Sequence, residues 1–193
     1  MTDISTIFDR HIQLMTRVAD QLVPVIEKSA EVIVTSLQAG NKILIMGNGG
    51  SAADSQHFAA ELVGRFQHER RALAAISLAA NNSTLTAIGN DYHFDVIFQR
   101  QIEALAGPGD VVIGISTSGH SENVFLALQA ARQMGCVTLG LLGGTGGRIA
   151  TVADHPIIVA SEETPRIQEV HITIIHILCE LIESQIVPGG VNG

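Results

Sequence analysis

Short apolar runs alternate with longer mixed segments along most of the chain. The apolar runs occupy residues 42–46, 73–78, 111–115, 137–142 and 155–159. Continuous apolar runs of this length are typical of strands that are covered on both faces, and the segments between them are long enough to form crossover helices. The pattern therefore predicts an α/β fold in which helices cover both sides of a doubly wound, five-stranded parallel sheet.

Helical periodicity marks the regions before and after this predicted sheet. In the first forty residues, apolar side chains recur at helical spacing, which predicts two amphipathic helices with a hinge near Pro24. Their apolar faces either cover the sheet or dock on another subunit, and we favour the subunit contact. Residues 167–187 are rich in Ile and Leu on nearly all sides, which predicts a largely buried helix. No interior linker divides the chain, so we expect one domain with N-terminal helices (1–40), an α/β core (41–187) and a flexible tail (188–193).

Composition narrows the class of partner. With 193 residues and 46% hydrophobic content, the chain can bury one full core. Its formal net charge of −8 creates no field that attracts nucleic acid or an anionic membrane, so an anionic ligand must be held by local donors. The sequence shows no basic segment followed by an apolar one at its start and no apolar stretch of membrane-spanning length, which predicts a cytoplasmic protein. Cys136 and Cys179 lie in apolar runs without CxxC spacing, which favours reduced, buried thiols over a disulfide or a thiolate metal site.

A glycine-rich segment follows the first predicted strand. Gly47, Gly49 and Gly50 allow a tight turn and a close approach to a ligand, and the first N–H groups of the next helix would point at that ligand. The simpler alternative is a strand-to-helix turn in which Ser51 only caps the helix. The segment Gly47-Asn48-Gly49-Gly50-Ser51-Ala52 does not complete the GxGxxG pattern, because its third glycine position is Ala52, and no acidic residue follows the second strand. Nicotinamide and flavin cofactors are therefore disfavoured.

A hydroxyl-rich segment follows the third predicted strand and leads into a helix that begins near Glu122. It supplies four hydroxyl groups and a glycine, from Ser116, Thr117, Ser118, Gly119 and Ser121. Neutral donors at a helix N-terminus suit a phosphate dianion, whereas capping requires only one hydroxyl. The alternative is a helix cap with spare serines. We expect strands one and three to be neighbours at a topological switch point, where both segments would face one ligand.

Polar side chains on two predicted helices are candidates for catalysis. His57 and Glu61 are four residues apart and leave the same helix face, as a surface salt bridge, a pair of metal ligands or an acid/base unit. His176 lies among apolar neighbours in the last helix, where burial is costly unless a partner is present. Gln168 lies about 12 Å from His176 along that helix. A site that used both side chains would need two chains or a bent geometry.

Together these segments resemble the SIS (sugar isomerase) family, and within it the phosphoheptose isomerases. The resemblance covers roughly residues 3–187, and it rests on motifs that occur in the same order: 47–54 with 57–61, 86–91, 114–119, and 166–169 with His176. It implies a SIS-type, flavodoxin-like fold and an aldose–ketose isomerase that converts sedoheptulose 7-phosphate to D-glycero-D-manno-heptose 7-phosphate through an enediol. It also implies a role in lipopolysaccharide biosynthesis and a homotetramer whose active sites lie between subunits.

The resemblance further implies roles for residues of this chain. Glu61 and His176 would form the catalytic acid/base pair, and one zinc ion per subunit would bind His57, Glu61, Gln168 and His176. The implied sugar-phosphate contacts are Asn48, Gly49, Gly50, Ser51, Glu61, Asn90, Asp91, Ser116, Thr117, Ser118, Ser121 and Gln168. A carboxylate that binds a metal is a weaker base, so the two roles of Glu61 conflict.

Two other functions remain open at this stage. Non-catalytic SIS-domain regulators that bind the bacterial replication initiator also resemble the chain over most of its length. His176 distinguishes the two classes, because such a regulator lacks the imidazole and with it half of the acid/base pair. An isomerase of another sugar phosphate is the second alternative, because the two polar segments recognise phosphate and hydroxyls without reading chain length. Neither a nucleic acid nor a membrane is an expected partner.

Overall fold

The N-terminal region forms two consecutive helices. A computed structural model describes residues 3–187, so the predicted flexible tail at 188–193 lies outside the described residues. Helix α1 spans Ile4–Gln21 and helix α2 spans Val23–Gln38. Pro24 lies in the first turn of α2, where its missing N–H is not needed and its fixed φ favours helix initiation. The predicted pair of helices and the position of the hinge are confirmed.

Between positions 43 and 159 the described residues form a five-stranded sheet in which all strand pairs are parallel. The strands are β1 (Ile43–Gly47), β2 (Ala75–Ser77), β3 (Val111–Ser116), β4 (Val137–Gly143) and β5 (His155–Val159), in the order β2-β1-β3-β4-β5. The predicted fold class is therefore confirmed, including the pairing of β1 with β3. Strand β2 is shorter than the apolar run at 73–78, because it is an edge strand that pairs with only three residues of β1.

Within residues 3–187, five further helices and two short 3₁₀ turns connect and cover the strands. The helices are α3 (Gly50–Val63), α4 (Asn82–Asp91), α5 (Gln99–Leu105), α6 (Glu122–Gln133) and α7 (Thr164–Ile186), and the 3₁₀ turns are Phe94–Val96 and Ile149–Thr151. One face of the sheet packs against α1, α2, α3 and α7, and the opposite face packs against α5 and α6. Strands β1, β3, β4 and β5 therefore supply side chains to both cores, which explains their apolar sequences, whereas Ile76 of the edge strand β2 is exposed.

The alternation of side chains is visible along β1. Ile43 and Ile45 belong to the core beneath α3 and α7, whereas Leu44 and Met46 belong to the core beneath α6. All four side chains are fully buried. Burial on both faces fixes the register of the strand, because a shift of one residue would exchange the two sets of side chains. The carboxyl end of β1 is thereby held rigidly next to that of β3.

The N-terminal helices cover the sheet only in part. Leu14 and Val18 of α1 are buried in the core, as is much of α2. Ile4, Phe8 and Ile12, which share one face of the first half of α1, are 57–69% exposed. The predicted cover of the sheet is present, and the predicted subunit contact remains a prediction for this exposed stripe.

Both cysteines are free and buried, as predicted. Burial and, to a smaller extent, the nearby carboxylates of Glu61 and Glu183 together raise the pKa of the Cys179 thiol to about 12, against a lowering effect of Arg70. Such a thiol is protonated and unreactive at neutral pH. Within residues 3–187, no helix combines the length and the apolar character that crossing a membrane requires.

Candidate active site

Residues 47–51, here called the β1 loop, connect β1 to α3 in a tight turn. Gly49 has a backbone φ of +57°, which residues other than glycine rarely adopt. A Cβ on Gly50 would overlap the side-chain nitrogen of Gln168. Ser51 is buried, and α3 begins without a hydrogen bond from any capping side chain. The alternative in which Ser51 serves as the cap is therefore wrong. The amides of Ser51, Ala52 and Ala53 donate to the carbonyls of Asn48 and Gly49, which leaves the amides of Gly49 and Gly50 as the loop donors that can serve a ligand.

Residues 116–121, here called the β3 loop, hold their hydroxyls in a network of their own. Ser116 Oγ lies 3.0 Å from Ser121 Oγ and accepts a hydrogen bond from the Gly119 amide. Ser118 Oγ accepts from the His120 amide. Ser121 occupies the N-cap position of α6, yet its hydroxyl makes no capping bond. Ser121 therefore does not cap α6 through its side chain, and the alternative of a simple serine cap is wrong.

Asn48 and Asn123 join the β1 loop to the first turn of α6, which follows the β3 loop directly. Asn48 Nδ2 donates to Asn123 Oδ1 at 2.9 Å, and Asn123 Nδ2 donates back to Asn48 Oδ1 at 3.0 Å. Because β1 and β3 are adjacent while the chain turns in opposite directions from them to β2 and β4, the loops lie at the topological switch point of the sheet. Sequence reasoning placed Asn48 here but missed Asn123.

The N-terminal part of α7 lies against both the β1 loop and the β3 loop. Gln168 packs against Gly50, and Ile167 lies beside Gly143 and the carbonyl of Thr117. A polar cavity of about 260 Å³ opens between α7 and the β3 loop and is lined by Thr117, Ser118, His120, Gly144, Thr145, Ser161, Glu162, Thr164 and Ile167. Of the predicted sugar-phosphate contacts, Thr117 and Ser118 line this cavity, while the β1 loop and Gln168 lie next to it at the carboxyl edge of the sheet.

His57, Glu61 and His176 form the central cluster of the site. His57 Nε2 lies 2.9 Å from His176 Nε2 and 3.4 Å from Glu61 Oε1. Helices α3 and α7 run side by side in the same direction, since Gln168 contacts Gly50 near the start of α3 and His176 contacts His57 two turns later. The two members of the predicted catalytic pair, Glu61 and His176, are far apart in the sequence, yet both contact His57 within one chain.

Two neighbours that sequence reasoning did not single out adjoin this cluster. The Phe66 ring lies 5.6 Å from the His176 ring between centroids and is tilted by 30°. Asp54 lies one turn before His57, and its buried Oδ2 has no hydrogen-bond partner among the described residues. Burial raises the pKa of Asp54 above its ordinary value, and the charge of His57 acts in the opposite direction.

A buried ion pair anchors the segment that carries Phe66. Arg70 Nε lies 2.9 Å from Glu183 Oε1, and both side chains are nearly inaccessible to solvent. The Glu183 carboxylate also accepts backbone hydrogen bonds from Phe66, Gln67 and His68 at 2.8–3.0 Å. Arg70 in turn donates to the backbone carbonyls of Glu61 and Leu62 at the end of α3. The end of α3 and the segment that carries Phe66 are therefore both connected to α7 next to the central cluster.

Asn90 and Asp91 are not brought to this region. They lie exposed at the end of α4, and the hydrogen bonds of their side chains within the described residues join them only to each other. A wider cavity of about 880 Å³ lies near α4 and α5, and it is lined by Ile76, Ser77, Ala80, Asn81, Asn82, Ser83, Thr84, Ile88, Arg100, Gln101, Ala104 and Leu105. It contains neither a carboxylate nor a histidine, so its size does not make it the better active-site candidate.

The central cluster has the donor types of a zinc site but not a finished geometry. Two imidazoles and a carboxylate are common zinc ligands. As the side chains stand, no three His, Cys, Asp or Glu residues between positions 3 and 187 are arranged to hold a metal ion. Gln168 lies two turns before His176 on α7, beside Gly50 rather than His57. The donor set fits zinc by its chemistry, and small side-chain movements of the partly exposed His57 would be needed to complete it.

Comparison with known proteins places this site in a family context. A family model described as SIS domain matches residues 8–143. The phosphoheptose isomerase of Citrifermentans bemidjiense is 58% identical over 186 residues, which cover 96% of this chain and 97% of that protein. The structure of phosphoheptose isomerase GmhA from Neisseria gonorrhoeae superposes with a TM-score of 0.89 at 43% identity, covering 94% of this chain and 97% of that one. A phosphoheptose isomerase from Francisella tularensis gives a TM-score of 0.91 at 37% identity, covering 95% and 100%.

Proposed function

The chain belongs to the SIS domain family, and within it to the phosphoheptose isomerases, and from this premise we propose that it converts sedoheptulose 7-phosphate to D-glycero-D-manno-heptose 7-phosphate. The observation that carries the proposal is the contact of His57 with both Glu61 and His176. A non-catalytic regulator has no need for an acid and a base brought together from two helices beside a phosphate-binding edge.

The reaction requires two kinds of proton transfer. A base removes a proton from C1 of the ketose, which gives an enediol, and the same proton or one from solvent is then delivered to C2. Meanwhile a proton moves from the oxygen on C1 to the oxygen on C2, so that the carbonyl ends at C1. We assign the carbon-bound proton to Glu61 and the oxygen-bound protons to His176, because a carboxylate and an imidazole can each accept and return a proton near neutral pH.

The phosphate end of the substrate would occupy the β3 loop. The hydroxyls of Ser116, Thr117, Ser118 and Ser121 and the uncapped N-terminus of α6 offer neutral donors, and the helix dipole favours an anion. His57 lies seven residues after Gly50, about 10 Å further along α3. A seven-carbon chain with its phosphate in the β3 loop would extend past the β1 loop and along this part of α3 to reach Glu61 and His176.

We propose that one zinc ion per subunit is bound by His57, Glu61 and His176, with Gln168 as the further ligand implied by the family. When bound there, zinc would act as a Lewis acid that stabilises negative charge on the enediol oxygens. The chain's own residues still have to bind the phosphate, orient the sugar and move the protons. If the site binds zinc in this way, the metal should copurify with the protein.

We propose a homotetramer as the working form. The exposed stripe of Ile4, Phe8 and Ile12 on α1 is the apolar surface that an assembly would cover. Asn90 and Asp91, which α4 exposes at a distance from the loops, would then contact the sugar phosphate in the site of a neighbouring subunit. A place in the cytoplasmic part of lipopolysaccharide biosynthesis follows from the family and belongs to the same proposal.

Charge-removing variants test the catalytic assignment. Glu61→Gln and His176→Ala should each lower kcat by about 10²- to 10⁴-fold, because each removes one partner in proton transfer. Glu69→Gln and His68→Ala are matched controls, since both side chains are exposed and lie outside the cluster. Far-UV circular dichroism checks that the variants remain folded. Parent-like turnover in both Glu61→Gln and His176→Ala would refute the assignment.

A further inference from the structure

We propose that Asn123 is a positioning residue for substrate binding, which holds Asn48 and thereby fixes the β1 loop against the first turn of α6, directly after the β3 loop. This inference rests on the proposed function. Asn123 lies outside the set of residues that the family resemblance implies, and it contacts Asn48 rather than the open face of the site. It would therefore act through Asn48 and not by touching the sugar phosphate.

The pair of amides forms a closed, two-sided connection. Each side chain donates one hydrogen bond and accepts one, at 2.9 and 3.0 Å, and Asn123 is only 2% exposed. A primary amide combines a donor and an acceptor at fixed spacing, so two of them can exchange two bonds. Serine, aspartate and leucine at position 123 cannot reproduce that pattern. Burial makes the arrangement specific, because an unpaired amide atom at Asn123 would be costly.

The connection joins the starts of two helices that have no side-chain caps. The Asn48 carbonyl accepts from the Ser51 amide in the first turn of α3, and Asn123 lies in the first turn of α6. Both helix N-termini carry partial positive charge. A neutral clamp holds these two positive ends together without introducing a carboxylate that would repel a phosphate dianion, and it leaves the anion site to the ligand.

The clamp also leaves Asn48 able to bind substrate. One of the two N–H groups of its amide and one acceptor direction of its oxygen are used by Asn123. The remaining donor and acceptor directions are available to sugar hydroxyls. With Asn123 in place the amide has one fixed orientation, so substrate binding does not have to order it. Without the clamp, binding must fix the Asn48 side chain and the loop.

The test separates this role from a general loss of stability. Asn123→Leu fills the same space but removes both hydrogen bonds, and we expect it to raise KM for sedoheptulose 7-phosphate about tenfold or more, with kcat changed less than about threefold. Gln101→Leu is the matched control. Gln101 is also a buried amide with two hydrogen bonds, to the carbonyls of Leu78 and Ile97, but it lies away from both loops. Gln101→Leu should lower the unfolding midpoint while leaving KM unchanged.

A double-mutant cycle tests whether Asn123 acts through Asn48. If it does, Asn123→Leu should raise KM in the parent protein but have little further effect in an Asn48→Ala background. Equal effects in both backgrounds would overturn the proposal, as would an unchanged KM in Asn123→Leu. Should Asn123→Leu fail to fold, Asn123→Asp keeps the shape and one of the two bonds, and a KM equal to the parent value would likewise contradict the proposal.

Failure of the proposed function would be recognised separately. A parent protein that leaves sedoheptulose 7-phosphate unchanged speaks against the isomerase, whatever the variants do. In that case a crystal structure of Asn123→Leu decides the positioning role on its own. A β1 loop displaced from the β3 loop, with Asn48 turned away, supports the clamp. An unmoved loop rejects it.

Discussion

Removal of the Glu183 charge should destabilise the fold strongly, and the structure allows the size of the effect to be worked out. Glu183→Gln keeps the shape of the side chain but leaves Arg70 as an uncompensated buried cation. The backbone N–H groups of Phe66, Gln67 and His68 donate to the two oxygens of this carboxylate. Because Gln has only one oxygen, at least one of these N–H groups would face an NH₂ donor and lose its bond, and the remaining bonds would lose the charge of the acceptor. Breaking a buried ion pair by removing one partner costs about 3–5 kcal/mol, a large part of the stability of a domain.

The pH dependence of this effect has a definite sign. Burial alone raises the pKa of Glu183, but the bonds from Gln67, Phe66 and His68 and the charge of Arg70 outweigh it, so the pKa is lowered overall. A carboxyl with a lowered folded-state pKa stabilises the protein fully above its unfolded value of 4.5, and that contribution is lost as pH falls through the folded value. The difference between parent and variant should therefore be constant near neutral pH and shrink only below about pH 4.5.

The assay is equilibrium unfolding in urea, followed by circular dichroism at pH 7 and at steps down to pH 4. Glu180→Gln, on the exposed side of the same helix, is the matched control and should stay within about 0.5 kcal/mol of the parent. A second readout follows from Phe66, whose ring adjoins His176, because a loosened segment should also lower kcat. A Glu183→Gln protein within about 1 kcal/mol of the parent at pH 7 would refute the reasoning.

Three further outcomes are expected. Burial lowers the pKa of His171 to about 4, and its bond to the Leu142 carbonyl acts weakly in the opposite direction. The folded state therefore binds the proton less readily than the unfolded state does, so the free energy of unfolding is not reduced by His171 above pH 6.5 and declines as pH falls toward 4. Between pH 7.5 and 5 the parent should lose about 2 kcal/mol of unfolding free energy that His171→Gln does not lose, and equal losses would contradict this. Phe8→Asp should shift the protein to smaller species in sedimentation analysis while Asp20→Lys does not, and an unchanged profile for Phe8→Asp would exclude the α1 stripe as a contact. Chelation should lower activity and thermal stability together, and full activity in protein without measurable zinc would reject the metal proposal.

Local patterns were enough to predict the frame of the molecule. The five apolar runs became the five strands, because burial on both faces leaves a signal in consecutive residues. The β1 and β3 loops could be placed because glycines and hydroxyls follow the strands directly in the sequence. The boundary of β2 was less predictable, since only the pairing partner decides how much of an apolar run joins an edge strand.

Contacts between distant residues could not be read from the sequence. Helical spacing on α7 separates Gln168 from His176, but it says nothing about His57, which lies 119 residues before His176 and contacts it. Asn123 resembles an ordinary residue in the first turn of a helix, and only the fold reveals its bonds to Asn48, 75 residues earlier. Arg70 lies in a charged stretch that looks solvent-exposed, yet its partner on α7 buries it.

Direct conversion of substrate tests the central claim, that the cluster of His57, Glu61 and His176 beside the two loops catalyses isomerisation of a heptose phosphate. Purified protein supplied with zinc is incubated with sedoheptulose 7-phosphate, and with other keto- and aldo-phosphates in parallel, while ³¹P and ¹H NMR follow the products. We expect the aldoheptose 7-phosphate to accumulate to an equilibrium mixture, and faster than any product from the other sugars. Folded protein that leaves sedoheptulose 7-phosphate unchanged, or that prefers a shorter sugar phosphate, would contradict the account.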